Sequence, residues 1–151
     1  MHRTLLQILP CTLILALSFA FQVRASFTHI PTNTASLRAL NKQTGRKMDI
    51  EIPVGRNHIF ETLLVDVRVC YTRPEYETPE NSAFVQITES NTHFREELRT
   101  VRSGNQVFSG WLFSSSPSLS ALDHPHYDIW LLECKNDPNL PTPEPVTRSV
   151  E

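Results

Sequence analysis

Two histidines and an aspartate near the end of the chain have the spacing of a candidate metal site. His124 and His126 flank Pro125, and Asp128 follows two residues later. If the backbone is extended here, the three side chains lie on one face. Two imidazoles and a carboxylate could hold zinc with an open fourth position, as in a metal-dependent hydrolase. The alternative is a turn that leads into the last strand, in which the histidine rings are hydrogen-bonded to the backbone. Polyproline geometry at this segment would also point the two rings in different directions, away from a common metal ion.

Serine chemistry is the second candidate, because five serines surround Pro117 in the stretch "SSSPSLSAL". A hydrolase nucleophile usually sits on a sharp strand–turn–helix elbow such as GxSxG, and that spacing does not occur here. Serine side chains also bond their own backbone in turns. The stretch therefore predicts a loop, with one short helical turn that Ser116 caps and Pro117 begins.

The acidic segment "RPEYETPEN" raises the question of calcium, because Glu75, Glu77 and Glu80 lie close together in it. The Asp- and Asn-rich, Gly-centred loop of a calcium-binding hand is absent from the segment. A solvated loop with local turns is the favoured interpretation. With four glycines in the whole chain, there is also no Gly-rich phosphate loop.

The N-terminus predicts export. A basic start, the apolar run "LLQILPCTLILALSFAF" and small residues before a cut after Ala25 are the layout of a signal peptide over residues 1–25. Pro10 and the cleavage site favour removal over a retained membrane anchor. Without Arg3 and Arg24 the chain is more acidic than its formal charge of −2, and no basic patch remains. We therefore expect no nucleic-acid partner and no membrane span after signal cleavage.

Removal of the signal peptide leaves two cysteines, Cys70 and Cys134. In an oxidising compartment these two should pair. In the chain-entropy description, a disulfide that closes the loop between these two cysteines adds about 4 kcal/mol to the free energy of unfolding. A reactive thiol pair or a metal-thiolate pair is the alternative, and no CxxC spacing supports either.

The middle of the chain predicts an all-β domain over residues 37–135, between a short linker at 26–36 and a disordered Pro-rich tail at 136–151. Short runs of period two are bounded by turn residues such as Thr44-Gly45. The pattern indicates a small antiparallel β-sandwich or partly open barrel of six to seven strands with one disulfide. The stretch "THFREELRTV" fits a short helix or a hairpin arm.

Strict alternation also predicts which side chains share a face in the cysteine-bearing strands. The third strand is expected to carry two opposite sets: Val65, Val67, Val69 and Tyr71 on one face, and Asp66, Arg68, Cys70 and Thr72 on the other. The final strand is expected to carry Ile129 and Leu131 on one face, and Trp130, Leu132 and Cys134 on the other.

Three stretches resemble an exported bacterial family catalogued as domain of unknown function 2155. "RPEYETPENSAFVQI" and "VFSGWLFSSSPSLSALDHPHYDIWLLEC" resemble its two signature blocks, and "LRALNKQTG" resembles its opening. The resemblance implies localisation in a Gram-negative envelope and a Cys70–Cys134 pair. It places His at His124 but a less restricted residue at His126, which weakens the two-histidine metal site. The family has no established activity, so the resemblance supplies no catalytic residues.

We therefore expect an exported, periplasmic and non-catalytic β-domain that acts as a binding or structural module in the cell envelope. Its partner would be an envelope protein or a membrane complex to which the domain is an accessory, and no cofactor is expected. The alternative is a zinc-binding module or metal-dependent hydrolase that uses His124, His126 and Asp128. The candidate partner contacts are Trp111, Phe113, Tyr127, Glu75, Glu77 and Glu80.

Overall fold

A computed structural model describes residues 29–90, 104–141 and 143 of the chain. These residues form eight β-strands and no helix. The strands are β1 (Ile30–Thr32), β2 (Thr34–Asn41), β3 (Arg46–Pro53), β4 (Asn57–Phe60), β5 (Leu63–Thr72), β6 (Asn81–Glu89), β7 (Asn105–Phe113) and β8 (Tyr127–Lys135). The predicted signal peptide and the segment "THFREELRTV" lie outside the described residues.

The strands form two antiparallel sheets that do not close into a barrel. The larger sheet has the order β1-β5-β6-β7, and β4 pairs with the same edge of β5 as β1 does. The smaller sheet has the order β3-β2-β8. The all-β prediction is therefore confirmed, as a sandwich. The structure has eight strands where six to seven were predicted, and the two shortest strands are β1 and β4.

Aliphatic side chains on the inner faces of both sheets build one core. Alternation along each strand sends every second residue inward, which gives the buried set its period of two. Each fully buried aliphatic side chain contributes about 1.5–3 kcal/mol relative to an exposed one. The fully buried members include Leu37 of β2, Ile52 of β3, Val65 and Val67 of β5, Val85 and Ile87 of β6, and Leu131 of β8.

β-Bulges in β5 and β8 overturn the predicted division of faces. In β5, Val67 pairs with Val85 and Val69 pairs with Phe84, so Arg68 is an extra residue. The extra residue reverses the alternation, because a slip of one position moves every later side chain to the other face. Val65 and Val67 therefore point inward with Cys70, while Val69 and Tyr71 point outward.

The second bulge places Cys134 in the core. Leu131 pairs with Leu37 and Glu133 with Ser36, which leaves Leu132 as the extra residue of β8. Cys134 thus shares the inner face with Leu131, whereas strict alternation assigned it to the opposite face. Cys70 and Cys134 form a disulfide between the two sheets, with their Cα atoms 5.6 Å apart. This pairing confirms the prediction and lies within the range that a disulfide requires.

Of two turns between neighbouring strands, the sequence predicted one and missed the other. Gly45 adopts a left-handed φ of 70° between β2 and β3, so the hairpin predicted at Thr44-Gly45 is confirmed. A two-residue turn at Glu61-Thr62 separates β4 from β5, although the sequence pattern marks no break within "HIFETLLVDVRVC". Glu61 has a φ of 55°, a conformation that non-glycine residues adopt uncommonly. The prediction missed this turn because its residues are not typical turn formers.

The ordered region extends beyond the predicted domain boundaries at both ends. β1 and the start of β2 fall within the predicted linker, where Thr32 pairs with Cys70. At the other end, the Asn33 amide donates to the carbonyls of Asp137 (2.9 Å) and Leu140 (3.1 Å). Its Oδ1 accepts from the Asp137 backbone N–H at 2.7 Å. The first residues of the predicted tail are therefore fixed to the sandwich. No helix in the described part of the chain is long and apolar enough to cross a membrane.

Candidate partner-binding site

His124 is a buried structural residue in this fold. Its side chain is 4% exposed, and its Nδ1 lies 3.2 Å from the backbone nitrogens of both His126 and Tyr127. Because Nδ1 accepts from two N–H groups, the ring proton is on Nε2, which donates to Glu89 Oε1 at 3.1 Å. Both ring nitrogens therefore have hydrogen-bond partners. This matches the alternative interpretation, a turn before the last strand in which the histidine ring is bonded to the backbone.

The other two predicted metal ligands point to different partners. Asp128 forms an ion pair with Lys42 at 3.0 Å, and the exposed His126 ring lies 5.9 Å from that of His124, centroid to centroid. Within residues 29–90, 104–141 and 143, no three His, Cys, Asp or Glu side chains are grouped to hold a metal ion. The geometry therefore gives the zinc alternative no support.

Tyr127, one of the predicted partner contacts, packs inside the same corner. Its ring stacks on that of His124, with centroids 5.1 Å apart, and meets the edge of Phe60 at 5.7 Å. Leu122, in the loop that leads to His124, is 3% exposed and belongs to the core. The loop between β7 and β8 is thus an architectural corner. Tyr127 is half-buried there, with its ring against those of His124 and Phe60.

Glu80 anchors the start of this loop to the acidic segment. Its carboxylate accepts from the backbone N–H groups of Asn81 (3.0 Å) and Ser115 (3.2 Å) and from the hydroxyls of Ser114 (3.3 Å) and Ser115. Burial alone would raise the pKa of the Glu80 carboxyl, but the hydrogen bonds from Ser115, Ser114 and Asn81 outweigh it and lower the pKa. Two of the candidate serines are therefore occupied with a structural carboxylate.

An aromatic cluster lies on the outer face of the larger sheet. Phe84 pairs directly with Trp111 across β6 and β7, and their ring centroids are 5.5 Å apart in an edge-to-face contact. Tyr71 stacks on Trp111 at 6.1 Å. Phe113 follows Trp111 by two positions and lies on the same face. We call Tyr71, Phe84, Trp111 and Phe113 the aromatic face.

The aromatic face remains open to solvent although its rings contact one another. Trp111 is 39% exposed, and the other three side chains are half-buried. The bulge at Arg68 adds Tyr71 to the cluster, because it turns Tyr71 outward to meet Trp111. Aromatic pairs of this geometry contribute about 0.5–1.5 kcal/mol beyond their burial, so the rings hold one another in a defined arrangement.

An acidic turn lies beyond the end of the aromatic face. The backbone N–H of Glu77 donates to the Pro74 carbonyl at 3.0 Å, which closes a turn with Glu75 and Tyr76 at its tip. Tyr76 is 82% exposed. The turn connects β5 to β6 at the end where Tyr71 pairs with Ser82, so two carboxylates and an exposed ring flank the aromatic face.

The predicted partner contacts are thus brought together only in part. Trp111 and Phe113 lie on the aromatic face and Glu75 and Glu77 lie on the adjacent turn, while Glu80 and Tyr127 have structural partners. Sequence reasoning missed Tyr71, Phe84 and Tyr76. The separation of Phe84 from its inward neighbours Val85 and Ile87 was a visible signal for an outward aromatic residue, but the outward turn of Tyr71 depends on a bulge.

Comparison with known proteins places this domain in a family. The model of the bacterial family "Uncharacterized protein conserved in bacteria (DUF2155)" matches residues 35–134. The chain belongs to this family. Its DUF2155 segment begins in β2 and ends at Cys134, so it contains the disulfide, the His124 corner and the aromatic face. β1 and the tail bound by Asn33 lie outside it.

A relative of this DUF2155 chain is "Uncharacterized protein RP359" of Rickettsia prowazekii (strain Madrid E). The two are 30% identical over 96 residues, which cover 64% of this chain and 57% of the relative. The match thus spans little more than half of the relative's length. No solved structure matches the chain.

Proposed function

We propose that this DUF2155 protein is an exported, non-catalytic binding module of the bacterial cell envelope. The observation that carries the proposal is the aromatic face, where Trp111 is 39% exposed beside Tyr71 and Phe84 on the outer face of the larger sheet. Contiguous apolar patches on a protein surface are common interaction sites, so this cluster is the candidate contact surface. Trp and Tyr are also the residues most enriched among those that dominate the energy of protein interfaces.

The chemistry of the surface indicates a protein partner with basic residues beside an apolar patch. The rings would supply buried contact area at low entropic cost, because their neighbours already fix them. Glu75 and Glu77 lie at the adjacent turn, where their negative charge would attract and orient a cationic surface. An arginine or lysine of the partner could also lie over Trp111, the aromatic residue that binds cations best.

Export is supported by two independent features of the chain. Residues 1–25 have the layout of a signal peptide, and the disulfide between Cys70 and Cys134 joins the two sheets. Disulfides persist in oxidising compartments such as the periplasm. A periplasmic domain with an open aromatic face suits an accessory role, with an envelope protein or a membrane complex as its partner.

A non-catalytic role is supported by what the reactive side chains contact. Ser114 and Ser115 donate to Glu80, His124 is bonded through both ring nitrogens, and Asp128 is paired with Lys42. These groups stabilise turns and strand ends.

Affinity capture from envelope extracts tests the proposal. The chain would be compared with Tyr71→Ala, which removes one ring of the aromatic face, and with the control Trp130→Ala, in a strand of the other sheet. We expect the wild type and the control to retain the same partner and Tyr71→Ala to lose it. Retention of every captured protein by Tyr71→Ala, or recovery of the chain only from the cytoplasm, would contradict the proposal.

A further inference from the structure

The edges of the two sheets differ in how well they are protected against strand pairing. β1 and β4 are short, at three and four residues. β3 carries Arg46, Lys47, Asp49 and Glu51, and β8 carries three charged residues. Short strands and charged side chains are the devices by which proteins block edge-to-edge association. β7 has nine residues, NQVFSGWLF, with neither a charge nor a proline.

The free backbone groups of β7 can be assigned from its pairing with β6. Ser114 N–H donates to the Asn81 carbonyl at 3.0 Å, and antiparallel ladders alternate between bonded and non-bonded residues. Phe108, Gly110 and Leu112 therefore direct their N–H and C=O groups toward β6. Ser109, Trp111 and Phe113 direct theirs toward the opposite edge, where β7 has no partner among the described strands.

Backbone direction and side-chain direction coincide in these three residues. Both alternate with a period of two, so the residues with free backbone groups also point their side chains to the outer face. Trp111 and Phe113 belong to the aromatic face. A strand added to this edge would therefore form hydrogen bonds with β7 and would also extend the surface that the aromatic residues begin.

We infer that β7 pairs antiparallel with β7 of a second copy of the chain, around a two-fold axis at Trp111. In this register Trp111 faces Trp111 of the second copy, and Ser109 faces Phe113. Every residue with free backbone groups then meets another of the same set, which is the self-complementarity that a two-fold interface needs. β7 is itself an uncharged, extended segment with aromatic residues at alternate positions, so no like charges oppose one another.

The pairing would join the two larger sheets and place the two aromatic faces side by side. It goes beyond the proposed function, since a monomer could bind a partner through Tyr71 and Phe84 alone. Cross-strand aromatic pairs stabilise such pairing. Shifting the β7–β7 register by one residue would abolish the hydrogen bonds between the two strands. Ser109, Trp111 and Phe113 would then lie opposite residues whose backbone groups face β6.

Sedimentation velocity of the purified full chain, without reductant, tests the inference. Trp111→Lys sets two like charges opposite each other, and Ser109→Pro removes one free N–H while keeping the aromatic face. Gln43→Lys, in the exposed β2–β3 turn, is the charge-matched control. We expect dimers for the wild type and the control, and dimerisation weakened at least about tenfold in both edge variants.

Amide hydrogen exchange provides a readout that also reports folding. In the wild type, the N–H groups of Ser109, Trp111 and Phe113 should exchange slowly. In Trp111→Lys they should exchange fast, while those of Gly110 and Leu112 stay slow because β6 still holds them. A monomeric wild type, a dimer insensitive to both edge variants, or an edge occupied by a different protein would overturn the inference. None of these results would decide whether the aromatic face binds its envelope partner.

Discussion

Replacement of His124 should distinguish a structural corner from a metal site. His124→Ala removes the acceptor of two backbone N–H groups, at His126 and Tyr127, each at 3.2 Å. Each unsatisfied donor costs about 1–3 kcal/mol, and partial access of water favours the low end. Loss of the ring that stacks on Tyr127 adds about 0.5–1.5 kcal/mol. We therefore expect the free energy of unfolding to fall by about 3 kcal/mol in His124→Ala.

Two further variants make the prediction specific. His124→Asn keeps a side-chain oxygen that can accept from the following backbone N–H groups, as Asn does in turns, so it should recover about half of the loss. His126→Ala, at an exposed ring, should change stability by less than about 0.5 kcal/mol. Urea unfolding followed by tryptophan fluorescence, once with chelator and once with added zinc, measures all three. Equal effects at His124 and His126, or an effect that appears only with zinc, would refute the structural role.

Three more outcomes follow from the contacts described above. Replacing Cys70 and Cys134 with alanine should lower the free energy of unfolding by about 4 kcal/mol, measured by urea titration, and an unchanged midpoint would contradict the cross-sheet role. Because Glu80 has a pKa below its usual value of 4.5, its carboxylate stabilises the fold above that pH and the benefit is lost as pH falls through the lowered pKa. Glu80→Gln should thus lower the free energy of unfolding by less than about 1 kcal/mol at neutral pH and make stability depend less on pH in the acid range. The control Glu75→Gln should keep the acid denaturation curve of the wild type. Asn33→Ala should release residues 136–141 to proteolysis while the core keeps its slow amide exchange, and protection of that segment in the variant would disprove the anchor.

Period-two alternation was sufficient to predict the class of fold and most of its core. Inward residues such as Ile50 and Ile52 of β3 alternate with charged neighbours, so their burial follows from the sequence. The pairing of Cys70 with Cys134 followed from counting the cysteines that remain outside the predicted signal peptide. These features depend on local pattern and on cysteine count, both of which a single sequence displays.

The candidate site was harder to predict because it depends on irregularities of the strands. The extra residues Arg68 and Leu132 have no sequence signature, yet each reverses the faces of all later residues in its strand. Without the bulge at Arg68, Tyr71 would point into the core and the aromatic face would lose one of its four rings. The contact of Asn33 with Asp137 joins residues 104 apart in sequence, a pairing that no local pattern specifies.

Photo-crosslinking from the aromatic face in living cells tests the proposed function most directly. A photoreactive phenylalanine analogue would replace Phe84, which lies in β6 away from the free edge of β7, and Trp130 would be the control position on the other sheet. The account predicts a discrete adduct with a second envelope protein from position 84 and none from position 130. Equal adducts from both positions, no adduct from position 84, or adducts that contain only copies of this chain would contradict it.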